Sequence, residues 1–176
     1  MGIGHVAVAL GASRAVPRLN VGWLVFAALL ADFLLGIFAF LDRAKPQGAG
    51  SIDNLAVAEI PNQNAVLVAL NVTIHNSGKK PIWIHDIKGT IKTDSGEFSD
   101  VAASAIDFGR YFEAFPSLKE HALPALPPET KIAVGGQAQG TVIFSFPVTQ
   151  DGFDKRKSIS VAIQPYDQPL PVTVTK

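Results

Sequence analysis

The residues of this chain that invite chemistry are its four histidines, His5, His75, His85 and His121, and one carboxylate set in an apolar run, Asp32. His85-Asp86 has the composition of a base and its orienting acid. Neighbours in a strand point to opposite faces, so a direct bond between them is not expected, and two polar residues on a wet sheet face is the plainer reading. His75 and His85 flank a hairpin and form a candidate metal pair, against the same plain reading. The chain has no GxSxG elbow, no HExxH helix and no phosphate-cradling loop. Gly135-Gly136 lacks the Lys-Ser/Thr of a P-loop and reads as a hairpin turn. Ser104 and Ser117 have no base nearby in sequence, and the acceptor-like Asn71-Val72-Thr73 falls inside an expected strand. No catalytic residue, metal or cofactor is expected.

Arg110, Tyr111, Phe112 and Phe115 carry the most functional weight, because aromatics with arginine are the residue types enriched at interface hot spots. They form either a recognition surface or a plug for the open end of a sandwich. Lys155-Arg156-Lys157 is a short basic cluster, a solvated loop or a contact for lipid headgroups. An ionised carboxylate in mid-membrane costs roughly 2.5–3.5 kcal/mol. Asp32 is thus either a functional polar residue facing protein or water, or a tolerated charge in a strongly apolar helix.

Residues 21–41, VGWLVFAALLADFLLGIFAFL, hold that single charge. At about 1.5 Å per residue they are long enough for a ~30 Å hydrocarbon core, which predicts an N-terminal membrane anchor over 1–41. A cleaved signal peptide has a shorter apolar region ending at small residues. This run ends in Phe38, Phe40 and Leu41, which favours an uncleaved, single-pass anchor binding the bilayer through 21–41. The flanking cations tie, Arg14 and Arg18 against Arg43 and Lys45, so orientation rests on the secreted look of the C-terminal part.

That C-terminal part is one domain. Residues 42–52, with Pro46 and several small residues, read as a linker, and 53–176 carry 13 acidic and 11 basic side chains, close to neutral. No basic run interleaved with aromatics occurs, which argues against nucleic acid. Cysteine is absent, removing disulfides and thiol chemistry. Strands are expected at 55–60, 65–75, 82–93, 97–101, 141–148, 158–164 and 170–175, with a fragment at 131–134. In 65–75, Val66, Val68, Leu70, Val72 and Ile74 make one apolar face, and the other grades from Leu67 and Ala69 to Asn71, Thr73 and His75, predicting a wetter side. In 82–93 the phase slips, placing a bulge near His85-Asp86 or Gly89. Residues 102–128 differ, with a short helix built around Ile106, Tyr111, Phe112 and Phe115 before a Pro-rich connection. Strand number and turn spacing predict a mainly β fold, an immunoglobulin-like β-sandwich over 53–176 preceded by one N-terminal transmembrane helix.

Two resemblances accompany this reading. ALNVTIHNSGKKPIWIHDIKGTIKTDSGEFSD and IAVGGQAQGTVIFSFPV resemble bacterial telokin-like, immunoglobulin-like secreted and lipoprotein domains of unknown function. The departure is the insertion at 102–128. This resemblance implies an extracytoplasmic binding or structural module and transfers no catalytic residue. GHVAVALGASRAVPRLNVGWLVFAALLADFL resembles the start of bacterial multi-span membrane proteins assigned as metal-dependent hydrolases, with His5 and Asp32 at that family's polar positions. The later spanning helices and their ligands are missing, and two residues cannot complete a metal site. The expectation is a membrane-tethered, non-catalytic, extracytoplasmic sandwich that binds an envelope protein or serves as a structural module. A degenerate membrane-bound hydrolase and a stress-protective or ligand-carrying sandwich are the alternatives.

Overall fold

The computed structural model describes residues 21–43 and 48–176, and the chain divides between Lys45 and Pro46 into two units. In the first, α1 spans Val21–Arg43. It is proline-free, and Pro46, shortly past its end, cannot continue it. Large apolar side chains stand exposed at Trp23, Phe26, Leu29, Leu30, Phe33, Leu34, Leu35 and Phe38. At about 100° per residue these positions cover about two thirds of the circumference, and half-buried Val25, Ala28 and Asp32 lie in the remaining sector. Asp32 is in line with Ala28 and Val25 one and two turns earlier. Side chains are described without a break only from Val25 to Leu41, and among the described residues no helix is long and apolar enough to cross a membrane. His5 lies outside the described residues.

The second unit is a β-sandwich of two antiparallel sheets. One has the order β1-β2-β6, with β1 at Gly48–Ile60, β2 at Ala65–Asn76 and β6 at Gln137–Phe146. The other has the order β4-β3-β7-β8, with β3 at Ile82–Thr93, β4 at Gly96–Val101, β7 at Ser158–Pro165 and β8 at Val172–Thr175. The two-residue β5, Lys131–Ile132, pairs with the start of β3. Period-two alternation builds the core: Val66, Val68, Leu70, Val72 and Ile74 of β2 meet Ile84, Ile87 and Ile91 of β3 and Ile159, Val161 and Ile163 of β7, all buried. Each such side chain contributes about 1.5–3 kcal/mol on burial. The expected phase slip is a bulge at His85, where the β3–β7 register shifts between Ile84 and Asp86. Gly89 is not part of it. A Cβ there would lie 2.7 Å from the Phe144 ring, so the bare backbone is a seat for that ring.

The expected linker over 42–52 is a correction. Helix continues to Arg43 and β1 already begins at Gly48. The small residues that suggested a flexible tether are needed for close approach. A Cβ on Gly48 would meet Val172 at 2.8 Å, and one on Gly50 would meet Thr73 O at 2.4 Å and Val174 at 2.9 Å. Thus β1 closes against β8 of the other sheet. Just beyond, a register shift between Ile52 and Asn54 makes Asp53 a bulge residue. Its carboxylate accepts bonds from Ser51 Oγ (2.7 Å), Thr73 Oγ1 (2.6 Å) and Gln139 Nε2 (3.3 Å).

The outer face of the first sheet is wet only at one end. Leu67, Ala69 and Ile143 would expose apolar surface there, and the insertion covers them. It comprises a 3-10 turn at Ala105–Asp107, α2 at Phe108–Ala114 and a second 3-10 turn at Pro116–Lys119, with Phe108 and Leu118 buried in this second, smaller core. The strap after it runs along β6: Thr141 N donates to Pro124 O and Leu126 N donates to Thr141 O, both at 3.0 Å. Gly140 leaves it room, since a Cβ there would sit 2.7 Å from Pro124 O. A buried relay pins the strap, with Thr141 Oγ1 donating to Asn71 Oδ1 (2.7 Å), Asn71 Nδ2 donating to His121 O (2.6 Å) and Leu123 N donating to Thr141 Oγ1 (2.7 Å). On the same flank β4 is stitched to β6 through Ser145 N donating to Asp100 Oδ2 at 2.7 Å.

Candidate functional site

The four residues singled out in the insertion do not form one outward surface. Ser104 Oγ accepts from Ile106 N (3.4 Å) ahead of the 3-10 turn, and α2 follows directly. Tyr111, Phe112 and Phe115 turn toward the sheet and pack, half-buried, on the second core, with Phe112 edge-on to Phe108 at 5.7 Å. Arg110 alone points outward, its guanidinium 3.9 Å from the Asp107 carboxylate, an exposed pair worth little. Beside it stands Ile106, expected to supply apolar bulk inside and instead 90% exposed. The insertion therefore does not plug an open end; it roofs one sheet and shows solvent an isoleucine and an arginine.

A second cluster lies on the outer face of the other sheet. Trp83 pairs with Lys131 on one side, and its carbonyl accepts from Tyr166 N (3.1 Å) on the other, so the three side chains stand in a row. Lys131 Nζ sits 5.3 Å from the Trp83 ring centroid. The bulge brings His85 edge-on to the Tyr166 ring at 4.5 Å. Tyr166 OH donates to Glu129 Oε1, and that carboxylate holds the phenol above its ordinary pKa. Glu129 has a positive φ of 65°, costly without glycine, and its amide donates to Ile84 O at 2.8 Å. Trp83 and Tyr166 remain 40% and 52% exposed. Local sequence does not join these residues. The one signal was the run Ile82-Trp83-Ile84, in which the buried isoleucines force the tryptophan outward.

Other candidates separate. Asp86 accepts from Ile87 N (2.8 Å), while His85 packs on Tyr166, so the two serve different neighbours. His75 lies on the outer face of the first sheet and His85 on that of the second, which rules out a metal shared across the hairpin. Among the described residues no three acidic or histidine side chains are grouped for a metal. The basic cluster is already engaged. Lys155 pairs with Asp151 (2.7 Å), Lys157 pairs with Asp94 (2.8 Å), and Arg156 lies over the Phe153 ring at 4.2 Å and donates to Phe153 O. Partial burial holds the Arg156 guanidinium below its usual pKa.

No family model and no curated protein matches the chain, so neither the telokin-like nor the hydrolase resemblance gains support there. In structure, the chain is similar to the Northeast Structural Genomics Consortium target SoR45, with a TM-score of 0.39 and 9% identity over 73% of this chain and 81% of that one. It is also similar to a "putative lipoprotein" (ycdA) from Bacillus subtilis subsp. subtilis str. 168, with a TM-score of 0.40 and 16% identity over 75% of this chain and 38% of that one. Similarity at this level says nothing of function.

Proposed function

We propose that the chain is a membrane-tethered, non-catalytic β-sandwich of the cell envelope, immunoglobulin-like in topology, that acts as a protein-interaction or structural module. One observation carries the tether: large apolar side chains of α1 stand exposed over about two thirds of the helix, and the remaining sector, with Val25, Ala28, Gly36 and Ala39, is uncharged apart from Asp32. A helix with so wide an apolar surface is stable only in apolar surroundings. The reading is supported by the apolar sequence run 21–41, which as a helix rising about 1.5 Å per residue has the length of a ~30 Å hydrocarbon layer. The immunoglobulin-like reading is supported by the strand order, three strands facing five with sheet changes between β2 and β3, between β5 and β6 and between β6 and β7. In this reading the domain lies outside the cytoplasm, and Ile106 with Arg110 is its surface for an envelope partner. The test is alkaline extraction of membranes together with protease access to a C-terminal tag, before and after lysis of permeabilised cells. Retention in the membrane with digestion before lysis supports the proposal; release by alkali refutes the tether, and protection until lysis refutes the location.

A further inference from the structure

The chain enters the sandwich at one end, and that end is unlike the other. Gly48 pairs with Asn76 and His75 with Gln137, while a side chain at Gly48 would strike Val172. The turns at 77–81, 133–136 and 166–171 therefore gather where β1 begins. Among the described residues the sandwich exposes six large apolar side chains, and four of them, Trp83, Val134, Tyr166 and Leu170, stand at this end. Lys79, Lys80 and Lys131 stand with them, and Arg43 and Lys45 precede β1 in sequence. The acidic residues of the sandwich beside them are Asp167 and Glu129, the latter engaged by Tyr166. The engaged cluster Lys155-Arg156-Lys157 is at the opposite end, before Ser158, which pairs with Lys92.

Only residues 44–47 join α1 to β1. Four residues reach at most about 14 Å when extended, while the headgroup layer is about 5–8 Å deep on each side of the hydrocarbon. Tryptophan and tyrosine are the side chains that settle at this layer, and lysines beside them are drawn to anionic lipid.

We infer that this end of the sandwich docks on the headgroup layer of the membrane that α1 anchors, with Trp83, Val134, Tyr166 and Leu170 in the interface and Lys79, Lys80 and Lys131 on anionic lipid. The inference rests on α1 being a membrane anchor. Docking leaves α2 and Arg110, on the remote half of the first sheet, turned to other proteins.

The chain has two tryptophans, so each can be followed alone. Full-length Trp23→Phe protein is reconstituted in vesicles of phosphatidylcholine and phosphatidylglycerol, with and without lipid brominated near the top of its acyl chains. Trp83 fluorescence is expected to be quenched by the bromolipid. Each lysine near an anionic surface contributes roughly fivefold, so joint Lys79→Gln, Lys80→Gln and Lys131→Gln substitution lowers the docked-to-undocked ratio by up to about a hundredfold. Trp83→Phe protein reports on Trp23 in the same vesicles. Quenching of Trp23 without Trp83 overturns docking and leaves the anchor standing. Quenching of neither overturns the anchor, and docking with it.

Discussion

Gly89→Ala tests whether the core is filled to the point where one methyl group is felt. The added Cβ would lie 2.7–2.8 Å from three atoms of the Phe144 ring. Carbon atoms at rest sit about 3.5–4.0 Å apart, so the ring must retreat by roughly 1 Å. It has little room: Phe144 is 1% exposed and its ring centroid is 6.0 Å from that of Phe146. Overpacking of this kind costs about 1–3 kcal/mol. Gly89 does not have a positive φ, so alanine fits its backbone and by itself stabilises by about 0.4–1 kcal/mol through the unfolded chain. The net expectation is a loss of about 0.5–2 kcal/mol. In a Phe144→Leu background the clash is relieved and the same substitution should become neutral or stabilising. The assay is urea unfolding of Trp23→Phe protein in detergent micelles, followed by Trp83 emission. At a slope of about 1–3 kcal/mol per molar, the midpoint falls on the order of 0.5 M. A Gly89→Ala midpoint above that of the parent protein, or effects of the two substitutions that simply add, would refute the packing argument.

Three other perturbations probe the insertion and the β1 bulge. Thr141→Val leaves Asn71 Oδ1 and Leu123 N without their partner, so it should cost about 1–3 kcal/mol and speed hydrogen exchange at Leu123 before the β6 amides. Leu118→Ala should cost about 2–5 kcal/mol in the same urea assay, because Leu118 is 1% exposed in the second core; a surface loop would show a change within about 0.5 kcal/mol. Asp53 is held below the ordinary carboxylate pKa first by the Thr73 hydroxyl, then by Ser51. A depressed folded pKa stabilises above the unfolded value of about 3.9, and that contribution is lost as pH falls through the folded value. Carboxyl-carbon NMR should accordingly place the Asp53 midpoint below 3.8, and Thr73→Ala should move it upward.

The strands were legible because burial on one face writes itself into alternation. Val66 to Ile74, Ile159 to Ile163 and the slip at His85 all followed from that. Where a second layer covers the outer face, alternation misleads. Leu67 and Ala69 read as the less apolar side of a sheet, yet the insertion roofs them together with Ile143. The bulk of Tyr111, Phe112 and Phe115 could be read, but not its direction, since a seven-residue helix is too short to carry a clear periodic stripe. The beginning of β1 was hidden for another reason. Gly48 and Gly50 signal flexibility in a sequence, and only their neighbours Val172 and Val174 reveal them as contacts. The cluster around Trp83 draws on Glu129 and Tyr166, 37 residues apart, a juxtaposition that topology alone creates.

The closure of both flanks of the sandwich has a consequence for crowding. In the membrane-tethered state proposed above, copies confined to one plane would meet side to side far more often than in bulk, and bare strand edges would let such encounters grow into continuous intermolecular sheet. Here β1 abuts β8, β4 is stitched to β6, and the strap lies along β6. Lateral association is left to side chains, which single surface substitutions can tune, rather than to backbone pairing, which is self-propagating. That safeguard narrows to one point at Gly140, where any side chain would lift the strap and uncover a strand edge to the next molecule.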